Sequence, residues 1–273
     1  MPELPEVETV RQALIPLVQG RTVKTMRLTR PDLRWPMPEN LAELVAGRKV
    51  GMPWRRGKYV LLPIAGAGHL LIHLGMSGSI RIHDSDPDFG KHDHVSMQLD
   101  DGRWWVMTDP RRFGHIDRVE EGAEDTHWLL AGMGPEPLGN HFTAPYLAES
   151  LAGRTQSIKA CLLDQKIVAG IGNIYACEAL YRAGISPRRQ AKSVIGKRAE
   201  RLVPAIRAVL EDAISQGGTS LRDHVQPGGE IGYFVQQLDV YGRVDQPCHG
   251  CGQKVRQIKQ SGRSSFYCSS CQR

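Results

Sequence analysis

The chain has 273 residues, 41% hydrophobic and 23% charged, which is enough apolar content for one large core or two ordinary ones and excludes a disordered polymer. Its formal net charge of +6 favours a polyanionic partner such as nucleic acid or an anionic membrane surface, although charge alone does not separate that from a merely soluble basic protein. No apolar run approaches the ~18 residues of a membrane span, and the opening residues, with Glu3, Glu6 and Glu8, lack a signal peptide's apolar block; the expected setting is the cytoplasm, where six cysteines serve better as metal ligands than as disulfides.

Residues 5–19 are predicted as a helix. Pro5 suits its first position, Val7, Val10, Leu14 and Leu17 make one apolar face, and Gly20 ends it, with an irregular last turn expected at Pro16. From about 22 to 120 the texture is that of an antiparallel β-sandwich, with strands read at Lys58–Ile64, His69–Leu74, Val95–Leu99 and Trp104–Met107. Residues 130–145, rich in Gly and Pro, read as a linker. Helical spacing follows from about 145 to 215, in the sets Ile158, Cys161, Leu162 and Ile174, Cys177, Leu180, Tyr181, and again from Leu202 to Ile214. Residues 217–233 read as a long glycine-rich loop and 245–273 as a separate small module.

That module carries Cys248, Cys251, Cys268 and Cys271 as C-x2-C-x16-C-x2-C. Each pair turns two thiolates toward one tetrahedral ion, and the residues between, Lys254–Ile258 and Ser264–Tyr267, suit a β-hairpin. The pattern points to one structural Zn2+, with no open position for catalysis; the competing reading is four unrelated buried cysteines. Cys161 and Cys177 fall on apolar helix faces and read as core. Arg263, in Ser261-Gly262-Arg263-Ser264 at the expected hairpin tip, is placed to reach a groove or a phosphate, or else to be a solvated basic residue.

The chain opens Met1-Pro2-Glu3-Leu4-Pro5-Glu6. Removal of Met1 would leave Pro2 with a free secondary amine, a good nucleophile toward a sugar C1′ or an aldehyde and able to form an iminium ion. The positive end of the following helix favours the neutral amine, and Glu3 beside it suits a general acid. Taken alone, the same residues also read as an ordinary Met-Pro start with acidic helix capping.

Pro2-Glu3-Leu4-Pro5-Glu6-Val7-Glu8-Thr9 resembles the opening of the formamidopyrimidine-DNA glycosylases, the Fpg (MutM) family. The resemblance continues in family order through His73-Leu74-Gly75-Met76-Ser77-Gly78, Lys91-His92-Asp93-His94, Thr108-Asp109-Pro110-Arg111-Arg112-Phe113-Gly114, Gly134-Pro135-Glu136-Pro137-Leu138, Gly170-Ile171-Gly172-Asn173-Ile174-Tyr175-Ala176 and the four cysteines. It implies a bifunctional glycosylase and AP lyase that excises oxidised purines (8-oxoguanine, formamidopyrimidines) in base excision repair. The processed Pro2 amine attacks C1′, expels the base, and the Schiff base then undergoes β- and δ-elimination. By the same resemblance Glu3 is the acid, Glu6 a second carboxylate near the site, and Lys58 a lysine that contacts phosphate and organises the damaged nucleotide. Met76, Arg111 and Phe113 match the side chains that fill the gap left by an extruded nucleotide, Met and Phe as wedges and Arg as a partner for the estranged base. Asn173 at a helix start and Lys159 in the helix before it match phosphate- or base-proximal residues; His73, His92 and Tyr241 match further phosphate contacts, Arg263 the zinc-finger arginine, and Ser220 and Tyr233 contacts in a base-covering loop.

The implied architecture is α+β in two lobes. A catalytic domain at 2–130 holds an N-terminal helix and antiparallel β-sandwich, a linker spans 131–144, a helix–two-turn–helix DNA-binding domain spans 145–244, and a β-hairpin zinc finger spans 245–273. The implied partner is double-stranded DNA containing oxidised bases or abasic sites, bound by a monomer associated with the nucleoid, with no membrane partner. Two alternatives remain: an endonuclease VIII-like glycosylase for oxidised pyrimidines, whose usual Pro-Glu-Gly-Pro opening differs from this chain at Leu4, and a non-catalytic binder of damaged DNA, which needs no free Pro2 amine.

Overall fold

A computed structural model describes residues 1–219 and 234–273. The chain divides into two compact units, Met1–Ala131 with Gly217–Tyr233 and Gly132–Gln216 with Phe234–Arg273. No helix among the described residues is long and apolar enough to cross a membrane.

The first unit opens with α1 (Leu4–Val18). Contrary to the expected irregularity, the helix runs through Pro16, and the Gln19 N–H still donates to the Ile15 carbonyl at 3.1 Å. The proline deprives only the Gln12 carbonyl of a partner, and both residues lie on the exposed face, where water substitutes. Gly20, at φ +79°, then turns the chain.

The strands follow as β1 (Val23–Leu28), β2 (Trp54–Arg56), β3 (Tyr59–Ile64), β4 (Gly68–His73), β5 (Ser79–His83), β6 (Asp93–Leu99), β7 (Trp104–Thr108) and β8 (His115–Val119), with the one-turn helix α2 (Leu41–Val45) between β1 and β2. They make two antiparallel sheets, ordered β1-β6-β7-β5 and β2-β3-β4-β8. Alternate residues of both sheets, Met97, Trp105 and Met107 from one and Val60, Leu62 and Ile72 from the other, enter a single core with Val7, Val10, Leu14 and Val18 of α1. The period-two alternation of the strands and the helical spacing of α1 therefore serve one apolar volume.

The second unit contains α3 (Ala144–Leu151), α4 (Ile158–Leu162), α5 (Asn173–Arg182), α6 (Lys197–Ser215) and the hairpin β9 (Arg256–Gln260) with β10 (Arg263–Tyr267). Thr143 and Ser157 cap α3 and α4 by accepting the N–H groups of Tyr146 and Ala160. The stretch expected as a linker is held down. The Gly134 N–H donates to the Gln165 carbonyl at 2.8 Å, and a Cβ at 134 would stand 2.5 Å from the Ile167 carbonyl carbon. The four-cysteine tail likewise does not stand apart, because so short a segment cannot close a core alone: Cys248, Val255, Phe266 and Cys268 pack with Cys177 of α5 and with Val240.

Leu14 is fully buried between helix and sheets. Leu14→Ala is expected to lower unfolding stability by ~2–5 kcal/mol, read as a lower urea midpoint at unchanged slope.

Candidate active site and metal centre

The start of α1 is sealed. Pro2 is buried, Glu3 and Glu6 are 2% exposed, and Met1 is exposed. The Glu3 N–H donates to Glu6 Oε2 at 2.8 Å as part of a reciprocal capping box. The other Glu6 oxygen accepts the Thr219 N–H at 2.8 Å and the Thr219 hydroxyl at 2.7 Å. Glu6 is thus a strut between the helix start and the entry to the segment that follows Thr219. Ser220 and Tyr233 lie outside the described residues.

Farther along α1, Arg11 donates to the Pro53 carbonyl at 3.2 Å while Glu8 pairs with Arg55 at 3.1 Å. Burial favours the neutral Glu8 carboxyl, but hydrogen bonds from Arg11 and Gln12 and the charges of Arg11 and Arg55 hold its pKa below the ordinary value. Arg11 therefore meets the residue before β2 and Glu8, one turn earlier, meets β2 itself, two residues before the β2–β3 turn, Gly57-Lys58. Gly57, at φ +55°, makes that two-residue turn possible, and Lys58 is buried there at 7% exposure.

Sheet register gathers the other residues. Tyr59 pairs with His73, and His73 with His115, as one row across β3, β4 and β8. Lys58 precedes this row, Met76 follows it out of β4, and Arg111 and Phe113 enter it before β8, so all four leave the same end of the sheet. Met76 and Phe113 are 39% and 41% exposed, and the Arg111 guanidinium lies 4.9 Å from the Phe113 ring centroid. Large apolar side chains standing in water are costly, and here two of them stand exposed, one of them beneath a cation.

Asp109, fully buried, binds the two exposed loops together. One oxygen accepts the Ser77 hydroxyl at 2.9 Å and the other the Gly114 N–H at 2.7 Å. A Cβ at Gly75 would lie 2.2 Å from the Phe113 carbonyl carbon, so that position must stay bare for the loops to touch. His92 is exposed, and its carbonyl accepts the Asp109 N–H at 2.9 Å. The buried His94, which the sequence quoted only as part of a motif, is within hydrogen-bond distance of the Asp109 carbonyl through Nε2 at 3.0 Å.

His73 accepts the Gly75 N–H on Nδ1 at 3.1 Å and packs against Tyr59 with ring centroids 5.0 Å apart. Burial first, then the positive charges of Lys58 and Arg34, pushes its pKa from 6.5 down to about 3, so the ring is neutral and its proton sits on Nε2. The unfolded chain takes up a proton near pH 6.5 that the folded ring refuses until about 3; this contribution to stability is complete above pH 6.5 and is lost as pH falls from there toward 3. Replacing His73 with Gln, which keeps an acceptor for Gly75, is expected to flatten the stability-versus-pH curve in that window in paired urea titrations.

The second unit carries the remaining residues. Asn173 opens α5 and donates through Nδ2 to the Ser264 carbonyl at 2.9 Å. Lys159, expected beside a phosphate or base, is 1% exposed and directs its ammonium to the Ser264 carbonyl at 2.8 Å and the Ser265 hydroxyl at 2.6 Å. A buried ammonium requires acceptors, and it finds them on β10; the residue braces the hairpin. Arg263 is exposed beside the tip, where Ser261 and Gly262 both take positive φ, +47° and +76°, as a tight two-residue hairpin turn demands. Tyr241 stacks edge-on against Phe266 at 4.9 Å, and its N–H donates to Glu178. Sequence reasoning passed over Glu178, a fully buried carboxylate on α5 that accepts the N–H groups of Asp239, Val240 and Tyr241. Burial raises its pKa although those three donors oppose the shift.

The four cysteine sulfurs lie within 4.8 Å of one another, with Cys248–Cys271 at 3.9 Å and Cys251–Cys268 at 3.5 Å. These separations are far too long for a disulfide and match the ~3.8 Å edge of a tetrahedron with ~2.3 Å metal–sulfur bonds. The cysteines are positioned to bind one metal ion.

Residues 1–116 match the formamidopyrimidine-DNA glycosylase N-terminal domain and residues 133–225 the formamidopyrimidine-DNA glycosylase H2TH domain. The chain is 51% identical to the formamidopyrimidine-DNA glycosylase of Ruegeria pomeroyi, with all of both chains covered. Its structure is similar to the crystal structure of the MutM (Fpg) protein of Thermus thermophilus, with a TM-score of 0.89, 40% identity, and 99% of this chain and 98% of that one covered. It is also similar to MutM in complex with DNA containing carbocyclic 8-oxo-G, with a TM-score of 0.91, 34% identity and 99% of each chain covered. The chain belongs to the formamidopyrimidine-DNA glycosylase family.

Proposed function

We propose that this protein excises oxidised purines from double-stranded DNA and cleaves the strand at the resulting abasic site. The observation that supports the reading is that one unit holds both a helix start bearing Pro2 and Glu3, tied to β2 through Glu8 and Arg55, and the single sheet end from which Lys58, Met76, Arg111 and Phe113 emerge. A relative of this fold was solved with 8-oxo-G DNA, and the Leu4 opening favours the purine branch.

In this reading Met1, 45% exposed, is removed first. The freed Pro2 nitrogen donates its lone pair to C1′ as the C1′–N bond to the base breaks, and the departing base takes a proton. Ring opening at O4′, with Glu3 as proton donor, leaves an iminium between Pro2 and C1′. Loss of the C2′ proton then expels the 3′ phosphate, and a second elimination expels the 5′ phosphate. Lys58 contacts the phosphate of the extruded nucleotide, while Met76 and Phe113 hold the emptied stack and Arg111 meets the unpaired partner base. Glu6 acts through position, holding Glu3 and Thr219. Arg263, Asn173, Tyr241, His73 and His92 contact the backbone, which fits a basic monomer working on cytoplasmic, nucleoid-associated DNA. Zn2+ is the metal suited to four thiolates, with a structural role: it fixes the hairpin that carries Arg263.

Borohydride trapping on an 8-oxoguanine:cytosine duplex, with intact mass confirming loss of Met1, is expected to give a covalent adduct that maps to Pro2. Intact binding without any adduct would establish a non-catalytic binder, and an adduct confined to thymine glycol duplexes would establish pyrimidine specificity. DNA affinity is expected to fall steeply with salt, and Arg263→Ala to reduce the slope of log K against log[salt] by about 1, measured by fluorescence anisotropy.

A further inference from the structure

Tyr181 lies on α5, and its hydroxyl stands 3.2 Å from the Cys248 sulfur. Gly250 makes room for the phenol: a Cβ at that position would lie 3.0 Å from the Tyr181 hydroxyl oxygen, closer than side chains ordinarily pack. A metal-bound cysteine carries no proton, so in the loaded protein the phenol is the donor and the sulfur the acceptor.

We infer that Tyr181 is a positioning residue of the metal centre, supplying a hydrogen bond to the Cys248 thiolate and tying α5 to the metal-binding hairpin. The inference rests on the zinc reading above. Hydrogen bonds from outside the coordination sphere orient a ligand and withdraw charge from it, and their loss ordinarily weakens metal holding by about 10- to 100-fold. They also make a thiolate a poorer nucleophile toward oxidants. The location gives the bond a second use, because α5 carries Asn173 at its first residue and Glu178, the clamp on residues 239–241, one turn before Tyr181. Lys159 and Asn173 reach the hairpin at Ser264, and Tyr181 reaches it at the metal ligands, so the hairpin is held against the helices at two separate places.

The test compares the wild-type full chain with Tyr181→Phe, which keeps the ring and removes only the oxygen. In the Co(II)-substituted proteins, the sulfur-to-metal charge-transfer bands of the variant are expected at lower energy than those of the wild type, because a sulfur relieved of a hydrogen bond gives up its electrons more readily. In the zinc proteins, transfer of metal to the chelator 4-(2-pyridylazo)resorcinol is expected to be about 10-fold faster for the variant. Superimposable Co(II) spectra and equal release rates would overturn the inference while leaving the zinc reading intact. A wild-type protein that takes up neither metal would overturn both.

Discussion

A buried carboxylate must have its oxygens satisfied by hydrogen bonds, and one that collects them from several segments fixes those segments relative to one another. Asp109 does this for the loops that carry Met76 and Phe113. Glu6 does it for the helix start and Thr219, and Glu178 for the three consecutive N–H groups from Asp239 to Tyr241. None of the three needs to touch a substrate to matter. Each lies one or two bonds behind a residue proposed to do so, and each converts a flexible connection into one with a single arrangement. The polar interior of this protein is therefore spent on aiming loops, while the apolar core, shared by α1 and both sheets, supplies the rigid body from which they are aimed.

The same division explains what the sequence made legible. Helical spacing and strand alternation located α1 and the central strands to within one or two residues, because each has one apolar face and a core that rewards it. The cysteine spacing announced its cluster, since few other folds require two C-x2-C pairs so separated. Pro16 misled because a local rule about helix interiors takes no account of an exposed carbonyl that water can satisfy. The tail looked independent because its core is completed by Cys177 and Val240, which lie outside it in sequence. Lys159 was assigned by resemblance to the neighbourhood of a phosphate or base; its acceptors on Ser264 and Ser265 lie more than a hundred residues downstream, and no local signal could have announced them.

Pro2, Glu3, Lys58 and the exposed trio came from motif resemblance, and for Lys58, Met76, Arg111 and Phe113 the structure supplies a physical reason for their company: cross-strand register places three connections at one end of one sheet. Thr219, Tyr181 and Glu178 were silent because their partners are set by tertiary packing.

Arg112 sits between Arg111 and Phe113 with a left-handed backbone, φ +58°. An ordinary extended chain would send neighbouring side chains to opposite faces in strict alternation, and the two arginines would differ only by parity. The left-handed residue sets that junction differently: Arg111 lies over the Phe113 ring, whereas the charge of Arg112 is felt by Asp32. Two chemically identical neighbours are thereby given separate addresses by backbone chirality. For anyone diversifying this segment the two positions obey different rules. Position 111 is constrained by what its side chain can recognise, and position 112 by the handedness its backbone can tolerate, so Asn, Asp or Gly suits the latter where a β-branched residue does not.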